Sequence, residues 1–261
     1  MGDPIFARTR HEYGSYVDFW RLVELSGFQQ CFIDEMQPDS DSTYIIPVRN
    51  GELPATGFFA AQARIIHWNL EWCVYPPLHG ISEVWNSDRW YANTLGAKYV
   101  PMGSHPGLKD AEPGAEEITY DVAYLGYMIP RRARLLHELD LLGVRSTPTS
   151  AWGRQRHELL TVSRAYLHVH QLDDKPGVPP LRMVVAAAYS LPVISEAMAD
   201  RGIFGYSHFM TSRIDKLAEF AALWTCRGGI AEQQRLADYG RALHDLLCDR
   251  MTFRKSVEAA L

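Results

Sequence analysis

The apolar positions of the chain change rhythm partway along it. In the first part they come as short β-rich runs, at 30–33, 43–48, 63–70 and 98–101. Ahead of these, Tyr16, Phe19, Trp20, Val23 and Leu25 recur at roughly helical spacing and predict a helix. A second helix is predicted over 87–95, with Ser87 placed to cap it and Gly96 to stop it. Strand, helix and strand in that order make a small α/β layer.

From residue 120 onward the alternation is regular. Strands are predicted at 120–126, 144–147, 165–170 and 192–195, and helices at 131–142, 154–163 and 180–189. Short strands alternating with helices imply parallel pairing through right-handed crossovers, hence a doubly wound sheet. Ligands of such sheets sit beyond the C-terminal ends of the strands. Over 231–247, Leu236, Tyr239, Leu243, Leu246 and Leu247 share one helical face. That face predicts a closing helix that packs on the rest and returns toward the first half. Between the two regimes, 103–117 is rich in Gly, Pro and acidic residues and reads as a linker. It divides the 261 residues into 1–110 and 118–261, both of ordinary domain size.

Composition narrows the class. At 47% hydrophobic and 22% charged residues, the chain can bury a core and lacks the signature of disorder. No run approaches the ~20 apolar residues that span a bilayer, and the first residues hold no apolar signal core. Cys31, Cys73, Cys226 and Cys248 are scattered without CxxC spacing, which suits reduced thiols in the cytoplasm. The net charge of −5 argues against a general nucleic-acid binder. Its distribution says more: 1–115 hold 8 Lys and Arg against 14 Asp and Glu, while 116–261 hold 18 against 17. An anionic ligand fits the second half better, although uneven surface scatter gives the same numbers.

The first chemical candidate is Arg182. Pro180 suits the first turn of a helix, so Arg182 falls in that turn too, where a cation opposes the helix dipole. A phosphate at the helix N-terminus turns that conflict into a binding site. The alternative is a solvated arginine swinging away to water.

The run from Tyr120 to Leu136, with its strand, Gly126 and the arginines Arg131, Arg132 and Arg134, resembles the opening of the nucleotide-sugar domain of GT-B glycosyltransferases. These include the CgeB-like bacterial and phage proteins. The stretch from Arg154 to His170 is similar to that family's helix leading into a strand that ends near a histidine. Arg182 to Glu196 matches its arginine, alanine-rich helix and Pro-Val-Ile-Ser-Glu run. The likeness covers about 100 residues, from Tyr120 to roughly Leu223. It implies a GT-B-like α/β fold of two Rossmann-like doubly wound domains facing a cleft, with the first domain reduced. It also implies donor contacts from Gly126, Arg131, Arg132, Trp152, His170, Arg182 and Glu196. The donor is then a nucleotide-diphosphate sugar, UDP-linked by expectation, with no cofactor and no metal. One position departs from the family: Val185 stands where many members carry the glutamate that binds the donor ribose. Glu196 is the candidate substitute, and a binding module without turnover is the rival reading. His168 and His170 also have a metal-ligand spacing, but no third ligand lies nearby in sequence.

In the first half, His67, Asn69 and Glu71 alternate with Trp68, Leu70 and Trp72. Glu71 at a strand end is the leading candidate for a general base that takes the proton of an acceptor hydroxyl, with Asp34 (beside Glu35) as its rival. His67, Asn69 and His79 are candidate acceptor contacts. Trp68, Trp72, Trp85 and Trp90 are either core or stacking platforms. The acceptor is open, and a hydroxymethylated DNA base of the phage type is one candidate.

Overall fold

A computed structural model describes residues 2–10, 16–37, 41–48, 63–70, 81–110, 117–148, 151, 153–172 and 177–261. Two parallel sheets organise these residues. The first contains β1 (Ile5–Arg8), β2 (Gln29–Phe32), β3 (Thr43–Val48), β4 (Arg64–Asn69), β5 (Glu83–Asn86) and β6 (Lys98–Tyr99). Its order is β2-β1-β3-β4-β5-β6, every neighbouring pair parallel. The second joins β7 (Tyr166–His168), β8 (Val193–Glu196) and β9 (Met210–Ser212) in that order. Single parallel bridges extend it: Ala123 pairs with Tyr166, and Val122 with Ser146. Both sheets therefore reverse their winding once. The switch lies between β1 and β3 in the first, and between 120–123 and β7 in the second.

The first sheet holds six strands where the apolar runs predict four; β1 and β5 are the additions. Ile65 to Asn69 of β4 are all buried, so the strand is covered on both faces, as parallel strands are. Its helices include α1 (Val17–Leu25), which buries Phe19, Leu22 and Val23, and α2 (Arg89–Leu95). Asp88 caps α2, its carboxylate accepting from the Tyr91 N–H at 3.0 Å. Ser87 was placed for that role, but its own N–H is still committed to the strand end, donating to the Asn69 carbonyl at 3.1 Å. Gly96 ends the helix as expected, at φ 64°.

The second sheet is wrapped by α3 (Pro130–Leu141), α4 (Gly153–Thr161), α5 (Pro180–Ala188), α6 (Ile214–Ala222) and α7 (Ile230–His244). The return to the first half, expected of the helix over 231–247, is made by a separate final helix beyond it, α8 (Phe253–Glu258). Phe253 is fully buried there against Phe6, Phe19, Phe28 and Trp68.

The largest core lies in the seam between the sheets. Phe6, Phe19, Trp68 and Trp85 join Met183 to Ala188 of α5 and Phe253 of α8 in one apolar cluster. From Met183 to Ala188 every residue is buried, which marks a helix packed on all sides. The run of Ala186, Ala187 and Ala188 lets its neighbours come that close. Residues 103–108, read as a linker, are pinned into the same seam. Ser104 Oγ donates to the Val184 carbonyl at 2.7 Å, its N–H donates to Leu247 at 2.9 Å, and Leu108 is fully buried. Among the described residues, no helix is long and apolar enough to cross a membrane.

Candidate active site

Doubly wound sheets bind ligands where the strand order reverses. In the second sheet that point lies between the strand end at Tyr124-Leu125-Gly126 and the end of β7 at His168. Four of the predicted donor residues, Gly126, Arg131, Arg132 and His170, surround it. Arg182 reaches it from α5, and Glu196 from the end of β8.

The helices that start there begin with proline. Pro130 opens α3 and Pro180 opens α5, and neither N-terminus has a side-chain cap. Their outward amides are of the kind that receive an anion. Arg131 is held by Glu196 in a two-bond ion pair, one bond at 2.7 Å, and Glu196 also accepts from the His170 N–H at 3.2 Å. Arg132 is buried and has no carboxylate partner among the described residues. It donates to the carbonyls of Tyr127 (3.0 Å) and Val169 (2.8 Å), and its Nε is unpartnered among the described residues. Burial, and then the charge of Arg182, press its pKa below the usual arginine value.

The two histidines form a directional chain. Arg182 Nη1 donates to His168 Nδ1 at 3.1 Å. His168 Nε2 then donates to His170 Nδ1 at 3.3 Å, and His170 Nε2 donates to the Ala197 carbonyl at 2.9 Å. That sequence of bonds fixes one neutral tautomer for each ring. Burial lowers both pKa values, His168 well below the ordinary range, with Arg182 the next cause there. All four ring nitrogens are engaged, and the pair works as a strut under Arg182. Gly126 leaves room for that guanidinium: a Cβ there would lie 3.0 Å from Arg182 Nη2 and 3.3 Å from the Tyr124 hydroxyl.

Sequence reasoning missed Arg156. It lies early in α4, mostly buried at 12% side-chain exposure, with its own pKa lowered by desolvation and then by Arg182. The same signal that marked Arg182, a cation in the first turn of a helix, was available for it. Arg154, two residues earlier, is exposed and pairs with Glu158 one turn on at 3.0 Å. The partner of Arg156 comes from the other half: Asp18 of α1 forms an ion pair with it and also accepts from His157 Nε2 at 2.9 Å. His157 Nδ1 accepts from the Tyr189 hydroxyl at 2.7 Å, and burial pushes the imidazole down to about 4. Arg131, Arg132, Arg156 and Arg182 thus meet two carboxylates, Glu196 and Asp18, among the described residues. The cluster carries surplus positive charge.

The first sheet faces this cluster with the ends of β4 and β5. Asp88 accepts from the N–H of Val178, just ahead of α5, and Arg89 grips Asp200 with both Nε (2.8 Å) and Nη2 (2.6 Å). His67 and Asn69 are buried at the end of β4. Asp34 stands apart in the 3-10 turn just after the edge strand β2, exposed and paired with Arg10 Nε at 2.8 Å. Glu71, Trp72, His79 and Trp152 lie outside the described residues. Trp68 and Trp85 are core, edge to face at 5.7 Å.

No family model matches the chain. Over 79 residues it is 34% identical to an uncharacterised protein of Acanthamoeba polyphaga mimivirus, a match that spans 30% of this chain and 26% of that protein. The chain thus spans about a quarter of the length of this curated relative. Solved structures match over nearly the whole chain. AviGT4, a glycosyltransferase of avilamycin A biosynthesis, superposes with a TM-score of 0.64 at 11% identity, covering 99% of this chain and 96% of its own. Anabaena Alr3699/HepE, solved with UDP and glucose, gives 0.62 at 10% identity, covering 99% and 98%. The phage T4 BGT, solved with UDP-glucose, gives 0.53 at 12% identity, covering 99% and 97%. The chain has the GT-B glycosyltransferase fold.

Proposed function

We propose that the protein moves a sugar from a nucleotide-diphosphate sugar, UDP-linked, to an acceptor hydroxyl. In this reading 118–261 form the donor side and 1–110 the acceptor side. The observation that carries it is the surplus of arginine at the switch point of the second sheet, with Arg132 buried and Arg131, Arg156 and Arg182 partly so. Burying a guanidinium without a carboxylate is costly, and a site that keeps Arg132 in that condition, with the half-buried Arg182 held by an imidazole beside it, is built for an anion. A diphosphate supplies the missing charge, and the uncapped starts of α3 and α5 supply amides to it.

The chemistry follows from the same charges. As the bond between sugar and diphosphate breaks, negative charge grows on the leaving group. Preorganised arginines beside it stabilise that charge most at the transition state. Arg182 and Arg132 take this role directly, while Glu196 and His170 hold Arg131 and the strut in place. A base in the first half then accepts the acceptor proton, Glu71 being the leading candidate and Asp34 its rival.

One observation favours a second reading, a nucleotide-sugar-binding module without turnover. Val185 replaces the ribose-binding glutamate and is buried in the seam core, and Glu196 is already engaged by Arg131. A thermal-shift screen of nucleoside diphosphates and their sugars tests the shared donor site. A ligand at ~100 times its Kd raises stability by about 2.7 kcal/mol. Slow hydrolysis of the bound donor then distinguishes the transferase from the module. Absence of any shift with UDP and the other diphosphates overturns both.

A further inference from the structure

The ends of β4 and β5 hold a second polar cluster that the donor chemistry does not use. His67, Asn69, Asn86 and Ser87 are at most 6% exposed. His67 Nε2, Asn69 Nδ2, Asn86 Nδ2 and Ser87 Oγ are buried and have no hydrogen-bond partner among the described residues. Buried polar atoms are almost always paired, so a group of them at adjacent positions calls for an explanation.

Their placement supplies one. Asn69 and Asn86 are register partners on neighbouring parallel strands, and both are the last residues of those strands. Their side chains emerge on the same face, and His67, two residues before Asn69, shares it. Trp68 and Trp85 take the opposite face into the core. Ser87 is tied to Asn69 through its N–H. Asn86 Oδ1 accepts from the Asp88 N–H at 2.8 Å, so the amide cannot flip and its NH2 points away from the turn. Preoriented donors at the C-terminal ends of parallel strands occupy the place where such sheets bind ligands.

We propose that His67, Asn69, Asn86 and Ser87 form an acceptor subsite for a neutral, hydroxyl-rich group, the ring of a glycoside. The word "acceptor" rests on the transferase reading; the binding itself does not. The class of ligand follows from the chemistry of the set. Two amide donors, an imidazole and a hydroxyl match the mixed donors and acceptors of sugar hydroxyls. The set contains no cation, and burial keeps His67 neutral, its pKa pushed down to about 4. Arg89, the nearest cation in sequence, is already gripped by Asp200. Residues 1–115 carry a balance of −6. A DNA acceptor needs several cationic phosphate contacts, which this half is poorly equipped to give. The subsite also adjoins the donor side, because Asp88, next to Ser87, holds Val178 four residues ahead of Arg182.

The test uses the full chain and methyl glycosides of glucose, galactose and mannose, with binding followed by ligand-observed NMR. At least one glycoside should bind the wild type, and Asn69→Leu and Ser87→Ala should each weaken it, the former by about tenfold or more. Asn69→Leu should melt no lower than the wild type, because it replaces an unpartnered buried amide with an apolar group of similar shape. Failure of all three glycosides to bind overturns the proposal. So does a lowered melting point in Asn69→Leu with glycoside binding unchanged, which would make the amide structural. Sugar transfer to a hydroxymethylated duplex, with none to glycosides, overturns it as well. A separate UDP titration reports on the donor site, so failure there leaves the glycoside result standing.

Discussion

Arg182 shows how one side chain can be placed against its own interests and held there. In the first turn of α5 its charge opposes the helix dipole, a cost of about 0.3–1 kcal/mol. Its described hydrogen-bond partner is an imidazole, His168, which accepts its proton only while neutral. A bound diphosphate reverses the balance, since a charge-assisted hydrogen bond is worth ~1.5–3 kcal/mol. Arg182→Ala should therefore weaken UDP binding by roughly 10- to 100-fold in calorimetric titration, with the melting point held or raised. Unchanged affinity removes Arg182 from the donor site. The neutral histidines also set a pH dependence. His67 and His157 are pushed down to about 4 when folded, against an ordinary 6.5. Between those values the unfolded chain binds protons that the native chain does not, so stability rises with pH there and is lost as pH falls. Urea midpoints should fall steadily from about pH 7 to about pH 5, and His157→Gln should flatten the slope. A midpoint independent of pH over that range would mean that both imidazoles take up protons in the native state as readily as in the unfolded chain.

At the scale of elements, the second half was legible as far as β8, with β9 and α6 beyond it unread, and the first half only in part. α3, α4 and α5 lie within two residues of their expected bounds, since helices between parallel strands carry strong start and stop signals in Pro130, Pro180 and Gly143. β1 and β5 escaped notice for a physical reason. Four residues such as Ile5–Arg8 or Glu83–Asn86 are too few for a period to emerge, and a strand covered on both faces shows no alternation. The Arg131–Glu196 pair was invisible for another reason: residues 65 apart meet only because β8 lies one strand beyond β7. Local propensity also misleads at Gly240 in α7. Alanine there should gain roughly 0.5–1 kcal/mol of helix stability. Its Cβ, however, would stand 2.0 Å from the Ser190 carbonyl and 3.0 Å from the nitrogen of Pro192. The backbone at 190–192 cannot yield cheaply, so overpacking at ~1–3 kcal/mol wins. Gly240→Ala should lower the denaturant midpoint, and a rise would show that α7 does not press on that turn.

At the scale of the molecule, two sheets with the same winding share one core instead of keeping separate ones. α5, from the second half, is buried on every side, and α8 carries the end of the chain back into a socket made by the first half. Phe253 is the clearest member of that socket. Its ring stacks on Trp68 at 5.7 Å and 21°, and lies within 6.2 Å of Phe6, Phe19 and Phe28. Truncation to alanine removes a fully buried ring that its neighbours cannot easily replace, at a cost of about 3–5 kcal/mol. Where that cost falls is the more telling point. If the halves unfolded independently, Phe253→Ala would release the aromatic cluster around Trp68 and Trp85 and leave the second sheet melting as before. Because the cluster runs without a break from Phe6 to Ala188, both should unfold together in one transition at a lower denaturant concentration. Tryptophan fluorescence includes the seam through Trp20, Trp68 and Trp85, and far-UV circular dichroism weights the helices of the second half. The two curves should coincide in the wild type and shift equally in Phe253→Ala. Fluorescence falling ahead of the dichroism would mean that the seam is a contact between two separately stable bodies.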